Sequence, residues 1–168
     1  MWPDVDLKHS FPPVVDTGTR LLVLGSLPGD RSLAERHYYA HPQNQFWRLV
    51  GAAIDCDLTP LAYPDRLGAL LATGVGLWDV VGSARRQGSS DAALRDPEAN
   101  DLPALVSQLP ALRAVAFNGL TAARIGNAAL GTAAPELARV TLPSSSPLHA
   151  IGLAAKLPAW RALDRFLT

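Results

Sequence analysis

Cysteine is nearly missing from this chain. Cys56 is the single one among 168 residues, which excludes an internal disulfide, and no grouping of Cys and His has the spacing of a zinc site. An excess of charge of either sign is missing too, because fifteen acidic residues balance fifteen basic ones. That balance removes the long-range attraction for phosphates that a basic protein has, so any basic surface must be local, and nonspecific DNA affinity should be modest with a shallow salt dependence. No run approaches the roughly twenty apolar residues of a membrane-spanning helix. The opening MWPDVDLKHSFPPVVD has acids and prolines where a secretory signal would have a basic head and an apolar stretch. A soluble, cytoplasmic, single domain covering residues 1–168 is expected.

Nearly half of the residues are apolar, and they fall in a pattern. Residues 1–18 hold three prolines without periodicity, which predicts an irregular arm. Four apolar runs follow, RLLVLG (Arg20–Gly25), GVGLWDVV (Gly74–Val81), AVAFNG (Ala114–Gly119) and RVTLPS (Arg139–Ser144). Continuous runs of this kind predict strands buried on both faces. Helical patterns occupy 44–54, 65–73, 101–109, 121–130 and 154–167. The alternation predicts an α/β fold, a parallel sheet with helices on both sides. ARRQGSSDAALRD, at 84–96, reads as a surface loop with a helix start. Ligands of such sheets gather outside the carboxyl ends of the strands. Four loops are thereby nominated, at 26–44, 79–91, 118–121 and 143–150.

Those loops carry the unusual residues. GSLPG, from Gly25, lacks the lysine and glycine spacing of a P-loop and reads equally as a tight exit turn. In YYAHPQNQFW, Phe46 and Trp47 are suited to anchoring a helix in the core, whereas Tyr39 lies earlier and could stack on a planar ligand. Asn44 fits a helix cap or a group that holds a water or a base edge. Asp79 and Asn118 end strands and could read a polar ligand or satisfy loop backbone groups. Arg85 and Arg86, with Arg31, Arg36 and Arg48, are candidates for phosphate contacts if they share a sheet edge. In LPSSSPLHA, Ser146 and His149 could be a nucleophile and its base, although the G-x-S-x-G elbow of a hydrolase is absent.

In their order along the chain, GSLPG, YYAHPQNQFW, LWDVV, RRQGSSD, FNG and LPSSSPLHA resemble the uracil-DNA glycosylase superfamily. They are most similar to its hypoxanthine-DNA glycosylase branch, and YAHPQNQFW is also similar to a segment of mismatch-specific uracil-DNA glycosylases. The similarity spans about residues 20–167. It implies a monomeric three-layer α/β/α sandwich around a four-stranded parallel sheet, acting without metal or cofactor on DNA, with the duplex as the first candidate and single strands the second. The implied reaction is hydrolysis of the bond between a deaminated base and its sugar, with hypoxanthine as the first candidate and uracil the second.

The resemblance also assigns roles. Pro147, Leu148 and His149 match the wedge that replaces the extruded base, with Ser144 and Ser146 in the same DNA-facing segment and Arg85 and Arg86 beside it. Tyr39 matches the stacking platform, the backbone amides of Ser26 and Leu27 and the side chain of Asn118 meet the base, and Asn44 places or polarises the water. Leu27 stands where better-known branches have an Asp or Asn, and Ser144 where they have a His or Asn. Those substitutions keep open a second reading, a noncatalytic DNA- or base-binding protein of the same fold, and LPSSSPLHA keeps a remote third, a serine hydrolase using Ser146 and His149.

Overall fold

The computed structural model describes residues 6–168. In chain order the elements are β1 (Leu7–His9), β2 (Leu21–Gly25), α1 (Asp30–Glu35), α2 (Phe46–Ile54), α3 (Tyr63–Thr73), β3 (Val75–Asp79), β4 (Val81–Arg85), β5 (Arg95–Ala99), α4 (Leu102–Ser107), β6 (Ala114–Asn118), α5 (Leu120–Leu130), β7 (Ala138–Leu142) and α6 (Leu153–Arg161). Each expected helix is present with ends shifted by a few residues. The last one passes into a 3-10 turn at Ala162–Phe166.

Four strands form a parallel sheet in the order β3-β2-β6-β7. Every residue of β2 is buried, as its unbroken apolar run requires, and alternate side chains serve opposite faces. Leu21 and Val23 join a core with Phe46, Trp47 and Leu49 of α2, Leu70 of α3 and Trp160 of α6. Leu22 and Leu24 join a second core with Leu102 and Leu105 of α4 and Ala122, Ala123 and Leu130 of α5. The result is the expected three-layer α/β/α sandwich.

Three expectations are corrected outside this sheet. Residues 1–18 are not wholly irregular: Leu7–His9 is a strand, and Val14 bridges to Leu77, while residues 1–5 of the expected arm lie outside the described residues. The run GVGLWDVV is not one strand, because the chain leaves β3 at Asp79 and enters β4 at Val81, in another sheet. Residues 84–96 are not simply loop, since β5 pairs antiparallel with β4, and β1 flanks β4 on its other side. β5, RDPEA, is exposed at every position, so backbone pairing alone forms it and no side-chain periodicity announces it. Pro97 within it suits an edge strand, where a missing N–H costs nothing. α1 was also unexpected, being too short to establish a helical period.

No helix among the described residues is long and apolar enough to cross a membrane. α5 approaches the sheet so closely that a Cβ at Gly126 would lie 2.2 Å from Phe117 Cε1 and 2.9 Å from Val80 Cγ1. Gly126→Ala would gain about 1 kcal/mol of helix propensity. Overpacking against Phe117 outweighs that gain, and a net loss of about 1–3 kcal/mol is expected in urea unfolding.

Candidate active site

The sheet order makes the site. From β2 the chain runs through α1, α2 and α3 to β3 on one side, whereas β6 and β7 lie on the other. The loops after β2 and β6 therefore part toward opposite layers and leave a crevice at the carboxyl ends of the strands. A cavity of about 590 Å³ opens there. Gly25 ends β2 and Ser26 to Pro28 follow it, Tyr39 and Asn44 come from the α1–α2 loop, Asp79 and Asn118 end β3 and β6, Ser89 to Ala92 come from the β4–β5 connection, and Ser144 to His149 follow β7; all line it. The four nominated loops converge.

Tyr39 is held as a platform. Its ring lies flat on Phe46, with centroids 3.8 Å apart and planes 12° from parallel, and Phe46 is fully buried. The Trp47 indole donates to the Tyr39 carbonyl at 3.1 Å. The residue sits at φ 54°, a strained backbone for a side chain of this size that such packing maintains. Burial, with the Asp79 charge adding to it, pushes the phenol well above its usual pKa, so it is neutral.

Gly25 lets the floor of the cavity close. A Cβ there would meet Asp79 Oδ1 at 2.6 Å and the Tyr39 hydroxyl at 3.0 Å. Val80 and Val81 donate N–H groups to the carbonyls of Gly25 and Ser26, which fixes the turn after β2. The N–H groups of Ser26 and Leu27 donate to no acceptor among the described residues, and both residues line the cavity. The Leu27 side chain points away into the core. The Ser26 hydroxyl donates to Asp91 Oδ1 at 2.6 Å.

Asn44 lies half-buried in the cavity wall, before α2 rather than within it. Its Oδ1 accepts the Phe46 N–H at 2.9 Å. Asn44 is therefore not the cap, a position Gln45 holds without a side-chain bond; the Asn44 oxygen closes a turn just ahead of the helix and keeps a second lone pair.

Asn118 lines the cavity, but its amide is largely committed. Oδ1 accepts the Ser145 N–H at 2.8 Å, and Nδ2 donates to Ser145 Oγ at 2.9 Å and to the Tyr39 hydroxyl at 3.3 Å. Ser145 also accepts the Gln45 N–H on its carbonyl. Buried Ser145 thus joins three site segments, whereas sequence reasoning named its neighbours Ser144 and Ser146 and passed it over. No sequence signal distinguishes the three serines; burial does.

The segment after β7 projects outward from this anchor. Leu148 is 73% exposed at its tip, and its N–H donates to Ser146 Oγ. Two buried donors hold the base of the loop, Lys156 Nζ on the Ser146 carbonyl at 3.2 Å and Trp160 Nε1 on the Pro143 carbonyl at 2.9 Å. Ser146 Oγ and the His149 ring share no hydrogen bond among the described residues, and His149 is exposed. A serine nucleophile with an oriented base is not assembled.

The arginines divide. Arg31 lines the cavity, whereas Arg36, Arg48 and Arg85 lie outside its wall. Arg86 is not a surface phosphate ligand. It is fully buried and its guanidinium donates to the carbonyls of Leu27, Pro28 and Gly88, so its charge organises the turn after β2. Lys8 reaches the Gly88 carbonyl and Asp30 as well. Among the described residues no cluster could hold a metal ion.

A family model described as Uracil DNA glycosylase superfamily matches residues 12–164. The chain belongs to this superfamily. It is 46% identical over 112 residues to a protein of Methanosarcina barkeri named Hypoxanthine DNA glycosylase, covering 67% of this chain and 71% of that one. A Methanosarcina acetivorans protein of the same name is 45% identical over 113 residues, covering 67% and 72%. The solution NMR structure of a candidate uracil DNA glycosylase of Methanosarcina acetivorans superposes with a TM-score of 0.85 at 38% identity, over 96% of this chain and 99% of that one.

Arg86→Met separates a scaffold role from a phosphate contact. Losing charged hydrogen bonds to buried carbonyls should cost at least about 1.5–3 kcal/mol in urea unfolding. The slope of log K against log salt for duplex DNA should not change, whereas removal of a phosphate contact would lower it by about one.

Proposed function

We propose that the protein is a DNA repair glycosylase that removes hypoxanthine from deoxyinosine in duplex DNA, with uracil as a secondary substrate and water as the nucleophile. It acts as a cytoplasmic monomer and needs no metal or cofactor. The observation that carries this reading is the meeting of an aromatic platform, two unpaired N–H donors, an amide and an exposed apolar tip around one cavity of about 590 Å³. That the two Methanosarcina relatives bear the name Hypoxanthine DNA glycosylase supports the choice of base.

The chemistry follows from the bond. A base inside the helix cannot present its sugar bond to a protein, so it must be extruded and the gap filled. Leu148 fills the gap, and its rigid loop base keeps it raised. The extruded base lies on Tyr39, whose position Phe46 fixes. As the C1′–N bond lengthens, the sugar becomes oxocarbenium-like and negative charge collects on the base, where prearranged dipoles act most strongly. The N–H groups of Ser26 and Leu27 supply those dipoles, and DNA phosphates stabilise the cation. Asn44 directs a water at C1′ through the free lone pair of Oδ1. Leu27 can contribute no side-chain base, so hydrolysis leans on Asn44.

Duplexes bearing a single inosine or uracil, incubated with the protein and then heated in alkali, should break at the lesion, more completely for inosine. Absence of strand breaks with both would overturn the proposal. Asn44→Ala should slow single-turnover cleavage at least about a hundredfold, equivalent to roughly 2.7 kcal/mol of barrier. Leu148→Ala should slow cleavage of duplex substrate by about tenfold and leave a single-stranded one nearly unaffected, because only the duplex needs its gap filled.

A further inference from the structure

Asp79 is the buried group that the mechanism above leaves unused. It is 3% exposed, ends β3 and lines the cavity. Oδ2 is buried and has no hydrogen-bond partner. A carboxylate buried without hydrogen bonds is costly, whereas the neutral acid tolerates such a place. The surroundings favour the acid as well. Asp91, from the β4–β5 connection, faces it with like charge, the neutral hydroxyls of Tyr38 and Tyr39 lie near it, and Arg86 at the end of β4 opposes them from a position committed to loop carbonyls. Arg31, His41 and His149 complete the titratable groups of the cavity wall. Burial first, and Asp91 second, push the Asp79 carboxyl up to about 7, with Arg86 lowering it.

Resting on the glycosylase reading, we propose that Asp79 is the leaving-group acid of this site, entering the reaction protonated and giving its proton to N7 of the extruded hypoxanthine. A purine differs from uracil in offering that imidazole nitrogen. As the C1′–N9 bond breaks, its electron pair moves into the base, N7 takes the Asp79 proton, and hypoxanthine leaves as a neutral tautomer. Water adds to C1′ and releases one proton, which restores the acid. The sum is deoxyinosine plus water giving hypoxanthine and an abasic sugar, with no other reactant. Gly25 makes the arrangement possible, because any Cβ there would occupy the space beside Asp79 Oδ1 and the Tyr39 hydroxyl. A positioned acid of this kind acts best with its pKa near the working pH.

The test is single-turnover cleavage of an inosine duplex between pH 5.5 and 9 by the wild-type protein and Asp79→Asn, an isosteric change that keeps a donor but no transferable proton. The wild-type rate should be level below pH 7 and fall toward tenfold per unit above it. Asp79→Asn should be at least about tenfold slower at pH 6 and level throughout. In parallel, the Asp79 carboxyl carbon, followed by NMR in the free protein, should titrate near 7. A variant that matches wild type at pH 6 or keeps the alkaline fall, or a carboxyl that titrates in the ordinary aspartate range, overturns the proposal. No cleavage by the wild-type protein at any pH would instead defeat the glycosylase reading itself.

Discussion

The site depends on one repeated interaction, a buried side-chain donor on one element holding a backbone carbonyl in a loop from another. Arg86 holds Leu27 and Pro28, the Trp47 indole holds Tyr39, Lys156 holds Ser146, and Trp160 holds Pro143. Loops are ordinarily the mobile part of a fold. Here each is tied at its base by a donor whose burial makes an unpaired state costly. The turn after β2, the Tyr39 ring and the loop that carries Leu148 are thereby held in place.

These ties explain how a protein without net charge can be built around a DNA lesion. Two of its cations, Arg86 and Lys156, are spent inside, and burial pulls the Lys156 ammonium below its usual pKa. What faces outward at the cavity mouth is apolar Leu148 beside hydroxyls and amides, with Arg31 as its exposed basic residue. Recognition of this kind depends on shape and on the readiness of a damaged base to leave the stack. Asp79 extends the same economy inward, since a carboxyl left without partners keeps its proton and becomes chemistry instead of charge.

The small antiparallel sheet has a part in the site that its exposed, polar strands conceal. The chain passes from β3 into β4 within two residues, so the segment that delivers Asp79 also delivers Arg86, seven residues on and just past β4, to the carbonyls of the turn after β2. The β4–β5 connection then brings Ser89 to Ala92 across the cavity, where Asp91 meets Ser26. A segment read as surface loop supplies one wall of the pocket and a like charge that adds to burial in raising the Asp79 carboxyl.

The sequence by itself determined the parallel sheet, because strands buried on both faces must be apolar throughout, and it determined which loops form the rim, because strand ends and loop ends coincide. It also marked Tyr39, Asn44 and Leu148, whose residue types are conspicuous where they stand. The tertiary structure alone decided the rest. Arg86 and Arg85 are adjacent and chemically alike, yet pleating sends one inward and leaves the other exposed. Ser145 is indistinguishable from its neighbours until Asn118 reaches it across the crevice. β5 has no hydrophobic pattern to read, since its partner is backbone. Asp79 could be given a proton only once burial and the approach of Asp91 were known, and both arise from contacts between residues distant in the chain.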